Sequence, residues 1–463
     1  MTDWTPDPNV LSRPAYLSLA EQFVAAIESG AMPVGARLAP QRQLAFDLGL
    51  SVQTVSRAYG ELIRRGLVSG EVGRGSFVLP AGAEASQPYL PRRQGELIDM
   101  SILKPVSDRM HGTILRDGLH WVADNMAPAS ALSFRPSTVM PIHQQVAADW
   151  LTRGGVPVDP DCVLFTDGAT SATTVAVMTA LSPGSTLAAA NLTHHLLMPL
   201  CKYLGIHLEA LAQDEHGLTP AALDQAARKN AVRAVFLQPS AINPRGTLVG
   251  LARRQELVDV ARHHDLLIIE SDVLNQLIED RPPPFAALAP ERVLHINGFT
   301  KYTMPGARAG LLVLPRRLTA AAANRHLVTN WMAPPVMVEL ITHWMTDGTI
   351  DDLIRWQRRA LGERHAIAAQ ALAGIPFQAH PQSLHVWLEL PPGLAEDDFV
   401  ARARARGVAI ASGHAFRISE RDRRDAVRIA VGSTDTGEFR RGMHTVADLL
   451  HLALASEPAL PMV

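Results

Sequence analysis

Gln53, Thr54 and Arg57 stand near the start of a helical pattern, where an amide, a hydroxyl and a guanidinium can reach base edges from a helix N-terminus. Far along the chain, Thr166-Asp167-Gly168-Ala169-Thr170-Ser171-Ala172 follows an apolar run and turns into a helix. Its small residues would aim backbone N–H groups and hydroxyls at an anion, although such turns are often glycine-rich for packing alone. Asn243-Pro244-Arg245-Gly246 follows another apolar run and by itself reads as a turn. Lys301 follows Val293-Leu294-His295-Ile296, and Arg308 precedes Gly310-Leu311-Leu312-Val313-Leu314. A lysine alone is usually a solvated charge; four such sites in order call for a common explanation.

The elements that position the first group are local. Leu44, Ala45 and Leu48 recur at helical spacing, Gly49 stops that helix, and Ser51 is the N-cap of a second helix through about Arg65. Val52, Val55, Tyr59, Leu62 and Ile63 form the apolar stripe of that helix, leaving Gln53, Thr54 and Arg57 on another face. Leu67-Val68-Ser69-Gly70 and Gly75-Ser76-Phe77-Val78 read as two strands around Glu71-Val72-Gly73-Arg74, a wing with Arg74 at its tip. Within residues 35–75, Arg37, Arg42, Arg57, Arg64, Arg65 and Arg74 outnumber Asp47, Glu61 and Glu71. The positive footprint is local, because the whole chain balances 43 Lys+Arg against 45 Asp+Glu and predicts no nonspecific adhesion to nucleic acid.

The second group needs a longer frame. Val163–Thr166, Thr186–Ala189, Ala234–Leu237, Leu266–Ile269, Val293–Ile296 and Gly310–Leu314 are short apolar runs with helical segments between most of them. That alternation predicts an α/β body with a mostly parallel sheet covered on both faces. After Pro391 helix and strand alternate again, with Ala426–Val431 as a late strand, which predicts a smaller C-terminal α/β subdomain. Residues 80–95 are rich in small residues, proline and arginine and carry no apolar periodicity; Arg92 and Arg93 sit in what reads as a solvated hinge. The 463 residues, 47% hydrophobic, suffice for sizeable cores. No stretch approaches a membrane span, the N-terminus lacks a secretory pattern, and Cys162 and Cys201 suggest no disulfide framework, so a cytoplasmic protein is expected.

From Pro14-Ala15-Tyr16-Leu17 to Leu79 the chain resembles the GntR-type winged helix. The motifs that carry this are Leu38-Ala39-Pro40-Gln41-Arg42-Gln43-Leu44-Ala45, Ser51 to Tyr59 and Gly73-Arg74-Gly75-Ser76-Phe77-Val78. The resemblance implies that Arg42, Thr54, Arg57 and the wing approach a double-stranded DNA operator. Residues 97 to 455 resemble the fold-type I aminotransferases, which hold pyridoxal phosphate. By that resemblance Lys301 would form the Schiff base with the cofactor aldehyde, and Arg308 would pair with its phosphate. Gly168, Ala169 and Thr170 would add donors to the phosphate, Asn243 would bond the phenolic oxygen, and Arg428 would clamp a substrate carboxylate. No metal is implied.

Three positions depart from the family pattern. Glu270-Ser271-Asp272-Val273-Leu274 stands where Glu-Asp-Asp and a nearby tyrosine are usual, and counting from Asn243 puts Ser271 at the aspartate that pairs with the pyridine nitrogen. A one-residue slip would put Asp272 there instead, and strand alternation makes the two choices mutually exclusive. Leu274 replaces the tyrosine, and His194 occupies a position that is commonly a stacking tyrosine.

Both halves in this order resemble the MocR subfamily of GntR-type regulators. That resemblance implies a winged helix-turn-helix domain at residues 12–80, a linker at 81–96 and an aminotransferase-like domain at 97–455, with the smaller subdomain from about 335. It also implies a homodimeric, pyridoxal-phosphate-dependent transcriptional regulator that senses an amino compound or the cofactor itself. A catalytically active aminotransferase with an appended DNA-binding domain is the alternative.

Overall fold

Apolar spacing in the first 79 residues closes a small core of its own. In the computed structural model, which describes residues 4–71, 75–79, 97–132, 134, 140–229, 232–421, 423–432 and 434–455, the chain divides into two compact units, residues 1–91 and 92–463. In the first unit α1 (Ala15–Glu28) buries Leu19, Ala20 and Phe23, α2 (Gln41–Asp47) buries Leu44 and Ala45, and α3 (Val52–Arg64) buries Val55, Ala58, Tyr59 and Leu62. Gly49, at φ +64°, ends the turn after α2, a conformation that costs a residue without Cβ little. Ser51 Oγ then accepts from the Thr54 amide at 3.1 Å and caps α3.

The second helix therefore begins where its cap was expected, but Val52 is not part of the apolar stripe. It is 46% exposed at the first position of α3, one turn before the first buried residue, Val55. β1 (Val68–Glu71) and β2 (Gly75–Val78) pair antiparallel, Val68 opposite Val78 and Glu71 opposite Gly75. The expected tip residue Arg74 lies outside the described residues, as does the expected linker. Trp4 packs edge-on against Phe23 of α1, with ring centroids 5.1 Å apart.

In the second unit seven strands form one sheet: β3 (Val163–Thr166), β4 (Thr186–Ala190), β5 (His207–Leu211), β6 (Val232–Leu237), β7 (Leu267–Ser271), β8 (Val293–Gly298) and β9 (Gly310–Val313). Their order is β3-β9-β8-β7-β6-β4-β5, parallel throughout except for β9, which runs against both neighbours. Alternation divides the side chains between two cores. Val235, Ile268, Val293 and Leu311 enter one; Ala234, Ile269, Leu294 and Leu312 enter the other with the helix Ala169–Ala180. β5 has no counterpart among the expected strands, because its half-exposed edge and Glu209 break the apolar run.

A smaller antiparallel sheet follows in the order β10 (His385–Glu389), β12 (Ala426–Ala430), β11 (Ala411–Ser412). It starts before Pro391, earlier than the sequence alternation suggests. The beginning of the body also returns to this layer, since Ile98 and Asp99 pair in parallel with Val408 and Ala409. Among the described residues, no helix is long and apolar enough to cross a membrane.

Candidate cofactor and DNA sites

Parallel strands deliver their C-terminal ends to one edge of the sheet, where open α/β folds bind ligands. Thr166 to Gly168 follow β3, His194 follows β4, Asn243 follows β6, Ser271 ends β7 and Lys301 follows β8. Arg308 precedes β9, and the reversal of β9 brings it to the same edge. Six positions spread over more than a hundred residues thus converge by topology.

Local contacts fix each of them. Gly168, at φ +88°, starts the helix Ala169–Ala180, and the Arg308 Nη2 donates to the Asp167 carbonyl at 3.2 Å beside it. A Cβ on Gly168 would lie 3.2 Å from that Nη2, and one on Gly310 would lie 2.7 Å from the Gly168 carbonyl carbon. The turn is thereby held against the guanidinium with room for backbone alone. Lys301 Nζ donates to the Leu103 carbonyl at 2.9 Å. Burial, reinforced by the Arg428 and Arg308 charges, pulls the Lys301 pKa down to about 8. A substantial fraction of its amine is then unprotonated and nucleophilic at slightly alkaline pH.

Arg428 is buried on β12, where its Nη1 donates to Asn243 Oδ1 at 3.3 Å and its Nη2 donates to the Ser101 carbonyl. Its guanidinium lies 4.7 Å from the Phe416 ring centroid. Burial pulls its pKa down to about 9, opposed by Asp99, which leaves it cationic at neutral pH. His194 is held neutral, with a pKa of about 4, by burial and by Lys301 and Arg428; its Nδ1 accepts from the Leu196 amide at 3.3 Å. The His195 ring lies 4.5 Å from it, and His385 is neutral as well, pulled down to about 3 by burial and by Arg428.

Ser271 and Asp272 point to opposite faces of β7. Asp272 shares its face with Glu270, whose carboxylate accepts from the Phe285 and Ala286 amides and lies 2.8 Å from His295 Nδ1. Glu270, Asp272 and His295 bring their polar atoms within 4.8 Å of one another, fully buried. Burial and the adjacent Glu270 raise the Asp272 pKa, and neither of its oxygens has a hydrogen-bond partner among the described residues. Burial also opposes ionisation of Glu270, but His295 and the two amides outweigh it and lower its pKa. The groups acting on Asp272 are thus Glu270, His295, Arg281 and Arg254, not Lys301 or Arg308. On the other face, Val273 and Ala169 flank Gly298, beside the Gly168 turn. Leu274 is buried in the apolar core.

A family model described as aminotransferase class I and II matches residues 129–446, more than half of the chain. The chain belongs to the class I and II aminotransferase family. In front of that domain, the model of the bacterial regulatory proteins of the gntR family matches residues 15–78, and the two together make the MocR architecture. The HTH-type transcriptional regulator YdeF of Bacillus subtilis is 24% identical over 96% of this chain and 96% of its own length. The HTH-type transcriptional regulator TauR of Rhodobacter capsulatus is 25% identical over 93% of this chain and 96% of its own. Among solved structures, a kynurenine aminotransferase of Pyrococcus horikoshii superposes with a TM-score of 0.71 at 19% identity, covering 78% of this chain and 92% of that one. That similarity places the body in the fold-type I aminotransferase fold.

In this MocR-type chain the expected DNA-facing residues have distinct surroundings. Arg42, Gln53 and Arg57 are exposed, while the Thr54 hydroxyl is 2.8 Å from Ser51 Oγ and half-buried. The Arg57 guanidinium stacks 4.1 Å from the Tyr16 ring centroid. Arg65 is engaged elsewhere, with Glu21 at 2.6 Å and Glu61 at 2.7 Å. On the body, sequence reasoning missed the Ser101 and Leu103 carbonyls, Asp99, His195, His385 and Phe416. The two carbonyls belong to backbone and leave no mark in the sequence; the histidines stood without a motif.

Proposed function

We propose that the chain is a transcriptional regulator that binds pyridoxal phosphate and a small amino compound in its body and a double-stranded operator through its head. The reading rests on one observation above all: Lys301, Arg308 and Asn243 converge at one edge of the large sheet, where Arg428 from the smaller sheet donates to Asn243, in a chain that also carries a helix-turn-helix with exposed Gln53 and Arg57. Residues 12–80 would be the DNA-binding domain, 81–96 the linker and 97–455 the cofactor domain.

The residues suit the cofactor. Arg308, the Gly168 turn and the first amides of the helix Ala169–Ala180 make an anion cradle for a phosphate, with Thr170 exposed beside it. Bound pyridoxal phosphate supplies an aldehyde for an amine and a ring that withdraws electrons. Lys301 offers the amine, Asn243 an amide for the phenolic oxygen, His194 a neutral ring to stack, and Ser271 a hydroxyl for the pyridine nitrogen. Arg428 receives a carboxylate. A hydroxyl cannot hold that nitrogen protonated as a carboxylate does, so these residues favour binding and exchange of amines over turnover. The intact lysine and arginines support the other reading, an active aminotransferase, and turnover decides between them.

The test is spectroscopic. Protein loaded with pyridoxal phosphate should be yellow, and Lys301→Ala should lose that visible band. Adding candidate amino acids to the wild type should shift the spectrum and change operator affinity, with little keto acid formed. A colourless wild type in excess cofactor would sink the cofactor reading, and turnover at the roughly 1–10³ per second usual of enzymes would establish the aminotransferase.

A further inference from the structure

On the face of the small sheet that carries Arg428, a second buried donor stands unused. Trp387 on β10 lies directly opposite Arg428 on β12 in the antiparallel register, so both side chains leave the same face as nearest cross-strand neighbours. Both line Phe416: its ring centroid is 6.4 Å from that of Trp387 and 4.7 Å from the Arg428 guanidinium carbon. Trp387 is 2% exposed and Arg428 3% exposed. The Arg428 Nη atoms are occupied by Asn243 and Ser101, whereas its Nε–H and the Trp387 Nε1–H are buried with no acceptor among the described residues. A buried N–H with no partner is destabilising, so two of them on cross-strand neighbours of one face point to an acceptor that completes them. Indole nitrogen only donates, and so does guanidinium nitrogen. Two donors and no proton to accept suit the two oxygens of one carboxylate.

We propose that Trp387 is a specificity-determining residue of the effector site, its indole N–H and the Arg428 Nε–H forming a fork that selects amino compounds bearing a carboxylate. This rests on the reading of the body as a cofactor and effector site. The nearby histidines do not compete for the anion as proton donors of variable charge. His385 uses Nε2 toward the Ile242 carbonyl at 3.3 Å, which leaves Nδ1 as an acceptor, and it stays neutral. The selection therefore depends on donors that do not titrate near neutral pH.

Full-length protein loaded with pyridoxal phosphate is titrated with L-alanine and, separately, with ethylamine, which lacks the carboxylate, and the visible spectrum is followed. Trp387→Phe should weaken alanine by about tenfold or more, the loss typical of a hydrogen bond to a charged group, and leave ethylamine within a factor of two or so. Trp387→His, which keeps an N–H donor on a ring, should recover part of the alanine affinity. Equal weakening of both amines in Trp387→Phe would make Trp387 a wall and overturn the fork, as would no change in either. If Trp387→Phe fails to take up cofactor, Trp387→His carries the comparison: selective retention of alanine supports the fork and loss of selectivity overturns it. A coloured wild type silent to both amines would overturn the effector reading itself, and the fork with it, a result distinguishable because no variant is involved.

Discussion

At the residue scale, the proposed cofactor site turns on Ser271. Its neighbours in sequence are both carboxylates, yet Glu270 and Asp272 lie on the opposite face of β7 in a buried cluster with His295. A carboxylate in contact shifts the pKa of a cation upward by roughly 1–3 units, and a hydroxyl does not. Ser271→Asp should therefore raise keto-acid formation from an amino acid by at least about tenfold while Lys301 still holds the cofactor, as read by coupled assay and absorbance. Unchanged turnover with an intact spectrum would show that this position does not face the ring nitrogen. Asp272→Ala tests the same register from the other side: the cofactor band should persist, because the groups that act on Asp272 are Glu270, His295, Arg281 and Arg254.

At the scale of elements, close approach and capping decide how the two sites are built. Gly168 and Gly310 let β9 run against the start of the helix Ala169–Ala180, with no space for a methyl group between them. In the head, Ser51 sets the first turn of α3 and leaves Gln53 and Arg57 exposed near its N-terminus, the end a recognition helix presents to the major groove. Arg57 is preorganised by its stack on Tyr16. Arg57→Ala should cost operator affinity roughly 1–3 kcal/mol if the guanidinium reads a base, or reduce the salt slope by about one if it contacts phosphate. It should also cost the head up to about 1 kcal/mol without DNA, through the lost cation–π contact. Operator titrations at several salt concentrations and urea unfolding of the variant separate the two effects; unchanged affinity and slope would remove α3 from the interface.

At the scale of the whole molecule, one chain carries one α3, and a symmetric pair would double its reach on DNA. A homodimer would present two heads to two half-sites, and closed two-fold pairing is the commonest form of self-association. Operator DNA should then bind two chains, and deleting one half-site should lower affinity sharply while leaving the cofactor spectrum unchanged. Sedimentation of the protein and its DNA complex gives the stoichiometry. A single chain bound per full operator would exclude the symmetric arrangement.

The sequence by itself determined what depends on neighbours a few residues apart. The cap at Ser51, the stop at Gly49, the apolar runs of the sheet and the motifs around Lys301 and Arg308 are all local, because a hydrophobic period or a turn residue acts within its own segment. The two departures have a local cause too: Val52 carries an apolar side chain that its place at the start of α3 leaves exposed, and β5 is an edge strand whose polar residues break the apolar pattern. Alternation alone puts Asp272 on the face of Glu270 and Ser271 on the other; that His295 lies opposite Glu270 and closes a buried cluster on that face depended on pairing with β8. Tertiary structure alone brought Ser101, Leu103 and Asn243 to Arg428 and Lys301, and Trp387 opposite Arg428. A backbone carbonyl or a cross-strand neighbour is selected by chain path, and the path follows from burying two sheet faces at once.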